Sequence, residues 1–410
     1  MGARTLWHIL AMTISVVSAI DPQHQVTATA PNPKRIAVIG EGVIGLSTAL
    51  AIKEHNPAAQ ITIFHDRPFE NILSRGIAGL FRIDEPTPIQ RLYGNETFTH
   101  LAQLWRNVGG VSGVQLLSGH ILSEDRNLLI DQERAYADIV YNFRFLSDDE
   151  KRSQFSGNNL EESSAIHYTA FTSEGAKYCP WMKNQLVDKG VLFVLRKINN
   201  LDELGDEGYD VVVNCAGLEG GRLAGIPEDT FPIRGILLKV DAPWHKHFLF
   251  RNFTTFTIPT IDAVYVGTVK ELNRDNMTLT GEEKDALWCR YLNLQPAFKN
   301  VRVLDTFVGL RPGRSDIRVE AERRTTSNGR SYKVVHNYGH GGSGFTLGWG
   351  SALHATALVY DLPTDQYDEA MQETIALREL TVKTVRNEVA KAVVEKSEIA
   401  KTRAVRSYSK

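Results

Sequence analysis

A glycine-rich turn near the beginning of the chain has the spacing that binds the pyrophosphate of a dinucleotide. Gly40, Gly42 and Gly45 form the pattern G-x-G-x-x-G. The first glycine allows a tight turn, the second lets the backbone approach the pyrophosphate, and the third brings a helix close to a strand. The N–H groups at the helix N-terminus then attract the anion. Asp66, about 20 residues later, is placed to accept from a ribose hydroxyl, and its neighbour Arg67 can contact the adenylate. The spacing does not distinguish NAD from FAD, and a glycine-rich turn of an unrelated α/β protein is the alternative.

The residues around this turn predict the strand, helix and strand that position it. Residues 36–39 form a continuous apolar run, which is typical of a parallel strand covered on both faces. Leu46, Ala49 and Leu50 then recur at helical spacing, and residues 61–64 form a second apolar run. These features predict a βαβ unit and therefore a Rossmann-type α/β domain.

The length of 410 residues predicts two domains that share one cofactor. A further strand is predicted at residues 211–215, and a second glycine-rich segment occupies residues 340–344. The predicted nucleotide-binding domain is therefore discontinuous, and the intervening segments form a second domain. The predicted boundaries are residues 35–85, 172–225 and 302–362 for the first domain, and residues 86–171 and 226–301 for the second.

Residues 363–410 are charged and predicted to be helical, with a narrow apolar stripe. The stripe consists of Val382, Val385, Val389 and Val393. This tail could pack on the body or join two chains in an oligomer. A partly ordered, solvated helix is the alternative.

Residues 1–19 have the features of a cleaved secretory signal. Arg4 precedes an apolar stretch from residue 6 to residue 17, and Val17-Ser18-Ala19 has the small residues of a signal-peptidase site. The alternative, a membrane anchor, would need about 20 apolar residues. Residues 20–34 form a polar, proline-bearing linker. We therefore expect a secreted protein that no longer contacts a membrane after the signal is cleaved.

The sequons, the net charge and the cysteine count give further expectations. Three N-x-S/T sequons, at Asn95, Asn252 and Asn276, predict glycosylation. A net charge of -2 gives no bulk basicity for binding nucleic acid. With only three cysteines no disulfide framework is expected, and we assign no metal ligands.

Five further segments resemble the D-amino-acid oxidase family, which includes the D-aspartate oxidases. They are Ala78-Gly79-Leu80 and residues 213–217, 240–244, 309–312 and 336–342. Together with residues 38–50 they occur in the order and spacing of that family, from about residue 35 to residue 362. The resemblance implies FAD rather than NAD. It also implies that the flavin ring lies at the boundary between the FAD-binding domain and a mixed-sheet substrate domain.

The resemblance further implies which residues contact FAD. They are Val43 and Ile44 beside the motif glycines, Ser74, Ala78, Gly79 and Leu80 at the flavin, Ile198 near the adenine, and Gly341, Gly342, Gly344, Phe345 and Thr346 around the ring. Clustered N–H groups at residues 341–344 would stabilise the negative charge that appears when the ring is reduced.

The same resemblance implies an oxidative deamination. Arg311 would bind the substrate carboxylate through two parallel hydrogen bonds, and the backbone carbonyl of Gly342 would accept from the amine. The α-hydrogen would pass to flavin N5 as hydride, so that positioning is the main task of the protein. Dioxygen would take the electrons to give hydrogen peroxide, and the imino acid would hydrolyse to a 2-oxo acid and ammonia. A surface arginine in the Arg-Pro-Gly-Arg turn is the alternative for Arg311.

Three positions bear on the choice of substrate. Phe256 stands where the family carries an active-site tyrosine, so a phenol hydroxyl near the carboxylate is missing. Arg251 and Lys270 stand at or beside positions where D-aspartate oxidases carry basic residues. Two cations would favour a second carboxylate, so we expect D-aspartate and D-glutamate as substrates. Asn252 lies near the predicted lid, and we expect it to be the least readily glycosylated of the three sequons.

Two other functions remain open. One is an oxidase of neutral D-amino acids, and the other is a secreted flavin-bearing protein that binds amino acids without turnover, for which Phe256 is the only hint. The final residues, Tyr408-Ser409-Lys410, lack the last leucine of a peroxisomal tripeptide. Together with the N-terminal signal, this favours export.

Overall fold

The computed structural model describes residues 34–155 and 162–381. The predicted signal, the linker up to residue 33 and the four valines of the predicted stripe lie outside the described residues.

The described residues form fifteen strands in two sheets. The strands are β1 Arg35–Ile39, β2 Gln60–His65, β3 Val114–Ser123, β4 Tyr141–Phe145, β5 Ser164–Ser173, β6 Leu192–Leu195, β7 Val211–Asn214, β8 Phe231–Asp241, β9 His247–Arg251, β10 Thr255–Pro259, β11 Val264–Gly267, β12 Glu271–Leu272, β13 Arg302–Gly313, β14 Arg318–Thr325 and β15 Ser331–Tyr338. The α-helices are α1 Val43–His55, α2 Pro88–Asn107, α3 Arg126–Tyr136, α4 Asp148–Phe155, α5 Gly175–Asp188, α6 Asp202–Asp206, α7 Gly220–Ala224, α8 Gly281–Leu294 and α9 Gly344–Tyr360. Residues 365–381 are also helical.

The first sheet has the predicted Rossmann-type arrangement. Its strand order is β14-β15-β7-β1-β2-β6, and β15, β7, β1, β2 and β6 run parallel. Alternate residues of β1 enter different cores: Ile36 and Val38 belong to the main core, and Ala37 and Ile39 pack in a second cluster. A strand buried on both faces needs such a continuous apolar run. The predicted strands at residues 36–39 and 61–64 and the α/β fold class are confirmed.

The second sheet has nine strands and is mixed. Its strands lie in the order β13, β8, β11, β10, β9, β3, β5 and β4, and β12 pairs with β8 beside β11. Only the contact between β3 and β9 is parallel among the described pairs of this sheet.

One predicted domain boundary needs correction. We expected residues 302–362 to belong to the nucleotide-binding domain. Residues 302–313 instead form β13, which pairs with β8 in the second sheet. The backbone groups of β13 are satisfied by that pairing, so this strand belongs with the substrate domain.

The two long helices behind the first sheet approach the same region from different parts of the chain. α1 and α9 pack against each other, and nearly all residues of α9 are buried. In the part of the chain that the structure describes, no helix is long and apolar enough to cross a bilayer.

Candidate functional site

A cleft of about 880 Å³ lies beyond the carboxyl ends of β1, β2 and β7. Ligands of open α/β sheets bind at this edge, and the volume is at the large end of the range for small-molecule sites. Residues of β13 and the segment before α9 complete the walls. Twelve of the predicted cofactor residues line the cleft: Gly40, Gly42, Val43, Ile44, Asp66, Arg67, Ser74, Ile198, Gly341, Gly342, Gly344 and Phe345.

The turn between β1 and α1 closes as the glycine spacing predicts. Gly40 has a φ of +113°, and a Cβ there would lie 2.4 Å from the carbonyl oxygen of Cys215. A Cβ on Gly45 would lie 1.9 Å from the carbonyl oxygen of Gly40. Only glycine fits at either position, because any side chain would separate the turn from β7 or α1 from β1.

The N-terminus of α1 opens into the cleft. Gly42, the N-cap residue, has no side chain to cap the helix, and Gly42, Val43 and Ile44 all line the cavity. The N–H of Val43 donates to Ser74 Oγ at 3.0 Å, which explains the predicted importance of Ser74. This arrangement leaves a helix N-terminus available for an anion.

Glu41 is a charged residue within the turn that the sequence did not single out. Its side chain is buried and forms an ion pair with Lys183 Nζ at 2.6 Å, and His65 Nδ1 lies 3.1 Å from its other carboxylate oxygen. A buried carboxylate beside a phosphate-binding turn would repel the ligand unless cations compensate its charge. The motif leaves this position free, so no sequence signal marked it.

Asp66 lies where the ribose partner was predicted, but it has a partner of its own. Arg67 Nε and Nη2 donate to its two carboxylate oxygens at 2.9 and 2.5 Å. The hydrogen bond from Arg67 lowers the pKa of Asp66. The pair therefore presents an ionised carboxylate and a guanidinium together at the rim of the cleft.

Five predicted cofactor residues lie outside the lining of the cleft. They are Gly45, Ala78, Gly79, Leu80 and Thr346. Leu80 forms a β-bridge with Thr172, and Thr346 Oγ1 accepts from the N–H of Arg82 at 3.3 Å. These contacts join the segment around Leu80 to β5 and α9.

Arg311 lies near the end of β13, and the segment after β11 holds its guanidinium. Nη2 donates to Thr268 Oγ1 at 3.1 Å, and Nη1 donates to the carbonyl of Val269 at 3.4 Å. Gly235 on β8 provides the space, since a Cβ there would lie 2.3 Å from Nη1. Burial lowers the pKa of Arg311, and the nearby Asp84 opposes that effect. A guanidinium withdrawn from water in this way gains strongly from an anionic ligand.

Asp84 is a second residue of this region that the sequence did not predict. Its carboxylate pairs with Arg82 and accepts from Ser343 Oγ at 2.8 Å. A Cβ on Gly342 would lie 3.9 Å from Asp84 Oδ2 and 3.7 Å from Arg311 Cδ. Burial raises the pKa of Asp84, but neighbouring cations lower it further, so the net shift is downward. An ionised acid and an arginine side chain thus both lie close to Gly342.

The sequence and the fold match a known family. Residues 35–358 match the DAO family model, described as FAD dependent oxidoreductase. The chain belongs to this family.

Named relatives agree with the family match. D-aspartate oxidase 2 of Caenorhabditis briggsae is 50% identical over 327 residues, which cover 79% of this chain and 97% of that protein. D-aspartate oxidase 1 of Caenorhabditis elegans is 50% identical over 327 residues, with 79% and 96% covered. Glycine oxidase from Geobacillus kaustophilus has a TM-score of 0.66 at 16% identity, covering 81% of this chain and 96% of that chain, and shows the shared fold.

The DAO family uses FAD, and the cleft fits this cofactor. Gly40 and Gly42 line the cavity without a side chain that would occupy it. Gly341, Gly342 and Gly344 at the beginning of α9 face the same cavity from the opposite side. The N-terminus of α1 would hold the pyrophosphate, and the N-terminus of α9 would lie against the flavin ring.

The three positions that bear on the substrate lie in different surroundings. Phe256 is 8% exposed and packs on Phe250 with ring centroids 4.9 Å apart. Arg251 Nη2 donates to Glu124 Oε1 at 3.1 Å. Lys270 is exposed, follows the two residues that hold Arg311, and its charge lowers the pKa of Asp84. Of the two predicted cations, Lys270 therefore acts on Asp84 beside Gly342, whereas Arg251 is paired with Glu124, which directly follows β3.

The three sequons differ in how freely their asparagines are presented. Asn95 on α2 and Asn276 are exposed. Asn252 is partly buried, and its amide donates to Glu124 Oε1 at 3.2 Å and accepts from the N–H of Glu124 at 3.1 Å. These contacts agree with the expectation that Asn252 is the least accessible, and glycosylation itself stays a prediction.

Proposed function

We propose that this DAO-family chain is a D-aspartate oxidase. With FAD bound, it would convert D-aspartate, dioxygen and water to the corresponding 2-oxo acid, ammonia and hydrogen peroxide. D-glutamate, which carries the same two carboxylates, would be a second substrate. The observation that carries this proposal is the half-buried guanidinium of Arg311, held by Thr268 and Val269 beside Gly342 in the FAD cleft.

Arg311 would orient the substrate. Its two terminal nitrogens form a rigid fork that matches an α-carboxylate, and two parallel hydrogen bonds fix the rotation of the amino acid about its Cα. The carbonyl of Gly342 would accept from the α-amine. Such positioning can contribute several kcal/mol to lowering the barrier, of the order of 7 or more for an ideal geometry. Bound FAD supplies the hydride acceptor.

The acidic side chain of the substrate would find its partner in Lys270. This lysine follows Thr268 and Val269, which contact the guanidinium of Arg311, and its charge lowers the pKa of Asp84. A cation at this position stabilises a second carboxylate and disfavours an apolar side chain. Relatives named D-aspartate oxidase, which are 50% identical to this chain, support the same choice of substrate.

Anaerobic mixing of the yellow holoenzyme with D-aspartate tests this function. Oxidation of the substrate bleaches the flavin absorbance, whereas binding without turnover only shifts the spectrum. Arg311→Ala should abolish both responses at substrate concentrations that saturate the wild type. Arg302→Ala is the matched control, because Arg302 lies on the same strand but is exposed and pairs with Asp241. Bleaching by D-alanine and not by D-aspartate would favour the neutral-substrate oxidase, and normal kinetics in Arg311→Ala would refute the assignment.

We also propose that the protein is a secreted glycoprotein. The basic and apolar residues of positions 1–19 and the exposed Asn95 and Asn276 support this proposal. Expression in a secreting cell line should yield a protein in the medium whose N-terminus lies near residue 20. Its apparent mass should fall on enzymatic deglycosylation. Retention of an intact N-terminus inside the cell would contradict it.

A further inference from the structure

Three histidines meet on one face of the second sheet. His120 on β3 is the direct cross-strand partner of His167 on β5, and His247 begins the adjacent strand β9. One ring nitrogen from each of the three lies within 4.8 Å of the other two. Within residues 34–155 and 162–381, no other set of three histidine, cysteine or carboxylate ligands comes together in this way.

This face of the sheet is turned away from the main core. Ile121 and Phe248, the chain neighbours of His120 and His247, belong to the main core, so the histidines project to the opposite side. There His120 packs edge-on against Phe155 of α4, with ring centroids 5.8 Å apart. The histidines do not line the FAD cleft. The cluster is therefore a separate feature that the proposed reaction does not use.

The hydrogen bonding of the cluster is incomplete. His247 Nε2 and His120 Nδ1 are 2.8 Å apart and share one hydrogen bond. His167 Nδ1 is buried and has no hydrogen-bond partner. Buried ring nitrogens nearly always have a partner, and an imidazole nitrogen without one is available as a metal ligand.

The surroundings of the three rings carry little net charge. Arg144 and Glu150, the charged groups closest to the cluster, pair with each other at 2.7 Å. A metal ion would therefore meet little net charge from the surrounding elements.

We propose that His120, His167 and His247 bind a zinc ion that joins β5, β3 and β9. Zinc–nitrogen bonds of about 2.0–2.1 Å in a tetrahedral site place the ligand nitrogens about 3.4 Å apart. The rings need only small rotations to reach this spacing, and a water molecule would complete the coordination. Because the site lies outside the FAD cleft, its role is to stabilise the substrate domain.

Calorimetric titration of untagged, chelator-treated holoenzyme with zinc chloride tests the site. The wild type should bind one zinc ion per chain at this site, and its Tm should rise by roughly several degrees when zinc is in excess. Cobalt chloride should give the intense visible absorption of a tetrahedral three-nitrogen site. His167→Gln should weaken zinc binding at least 100-fold and remove both the Tm shift and the cobalt spectrum.

Two further variants make the test decisive. His55→Gln changes an exposed histidine at the end of α1 and should bind zinc as the wild type does. His247→Gln should behave like His167→Gln, with FAD content and turnover of D-aspartate unchanged in both as evidence of folding. Absence of stoichiometric zinc binding in the wild type, or equal binding in the wild type and His167→Gln, would overturn the proposal.

Discussion

Lys270 and Arg251 are the two basic residues that the sequence assigned to the second carboxylate of the substrate, and their partners differ. Arg251 is paired with Glu124, which is itself 67% exposed. Lys270 directly follows the segment that holds Arg311, and its positive charge lowers the pKa of Asp84. An exposed ion pair contributes little and is screened by salt. We therefore expect Lys270, rather than Arg251, to contact the second carboxylate of the substrate.

We predict that Lys270→Met raises KM for D-aspartate about tenfold, which corresponds to about 1.4 kcal/mol. The KM for D-alanine should hardly change, because D-alanine has no second carboxylate. Arg251→Met, the matched control, should change either value by less than about twofold. Steady-state kinetics with D-aspartate, D-glutamate and D-alanine measure these effects. Equal losses for all three substrates in Lys270→Met would show that the lysine supports Arg311 and not the second carboxylate.

The residue types predict which glycines shape the backbone of this site, but they do not predict which buried acids lie in it. Gly40 and Gly45 were predictable because their geometry is local, and the resemblance to a known family placed Arg311. Glu41 and Asp84 were not predictable, because a carboxylate in a turn or loop is ordinary in a sequence. Their partners, Lys183 for Glu41 and Ser343 for Asp84, lie far along the chain. Only the folded chain brings these charges together.

The turn between β1 and α1 depends on α5 for its charge balance. Lys183 is on α5, and its ammonium lies 2.6 Å from the buried Glu41. Removing one partner of a buried pair leaves an uncompensated charge, which is costlier than removing both. Because Lys183 is itself 37% exposed, solvent screening reduces this cost.

We expect Lys183→Met to weaken FAD binding about tenfold, since the unpaired Glu41 then repels the pyrophosphate at a cost of about 1.4 kcal/mol. Glu41→Gln combined with Lys183→Met should restore most of the affinity, because no charge is left unpaired. Lys189→Met, at the exposed end of α5, is the control and should bind FAD normally. Titration of each apoprotein with FAD, followed by flavin fluorescence, gives the constants. If the double variant binds FAD no better than Lys183→Met, charge repulsion is not the cause.

The strands of the two sheets were predictable to different extents. β1 contains a continuous apolar run and β2 is largely apolar, so their pattern predicts strands buried on both faces. β13 could not be assigned to a sheet from its sequence, because its partner β8 is distant in the chain and pairing leaves no local signature. The predicted domain boundary at residue 302 was wrong for this reason. The histidine cluster was missed for the same reason, since β3, β5 and β9 meet only in the sheet.

Several buried histidines lower the stability of the folded chain as the pH falls. Four of them lie well away from the histidine cluster, around α9 and the first sheet. Burial lowers the pKa of His100 and His340 to about 3 and the pKa of His336 and His354 to about 4. In the unfolded chain the pKa of each histidine would be about 6.5. Between these values the unfolded chain binds more protons than the folded one, so stability falls as pH falls.

One buried acid has the opposite effect on stability. Burial raises the pKa of Glu96 to about 7, so Glu96 contributes stability at low pH that is lost as pH rises through its pKa. Its effect opposes that of the histidines, but four groups outweigh one. Each histidine changes the free energy of unfolding by about 1.4 kcal/mol per pH unit within its window. The net loss between about pH 6.5 and pH 5 should therefore be several kcal/mol.

We predict that the Tm of the metal-free holoenzyme falls by roughly 10 °C or more between about pH 7.5 and pH 5. Calorimetry in buffers with different ionisation enthalpies should show a net uptake of several protons on unfolding near pH 5.5, because the buried histidines gain protons and Glu96 releases one. His100→Gln should reduce this uptake by about one proton, since His100 is buried against Trp349 with ring centroids 3.6 Å apart. His55→Gln, at the exposed end of α1, should leave the slope unchanged. A Tm that stays constant over this range would mean that the buried histidines keep their protons when the chain is folded.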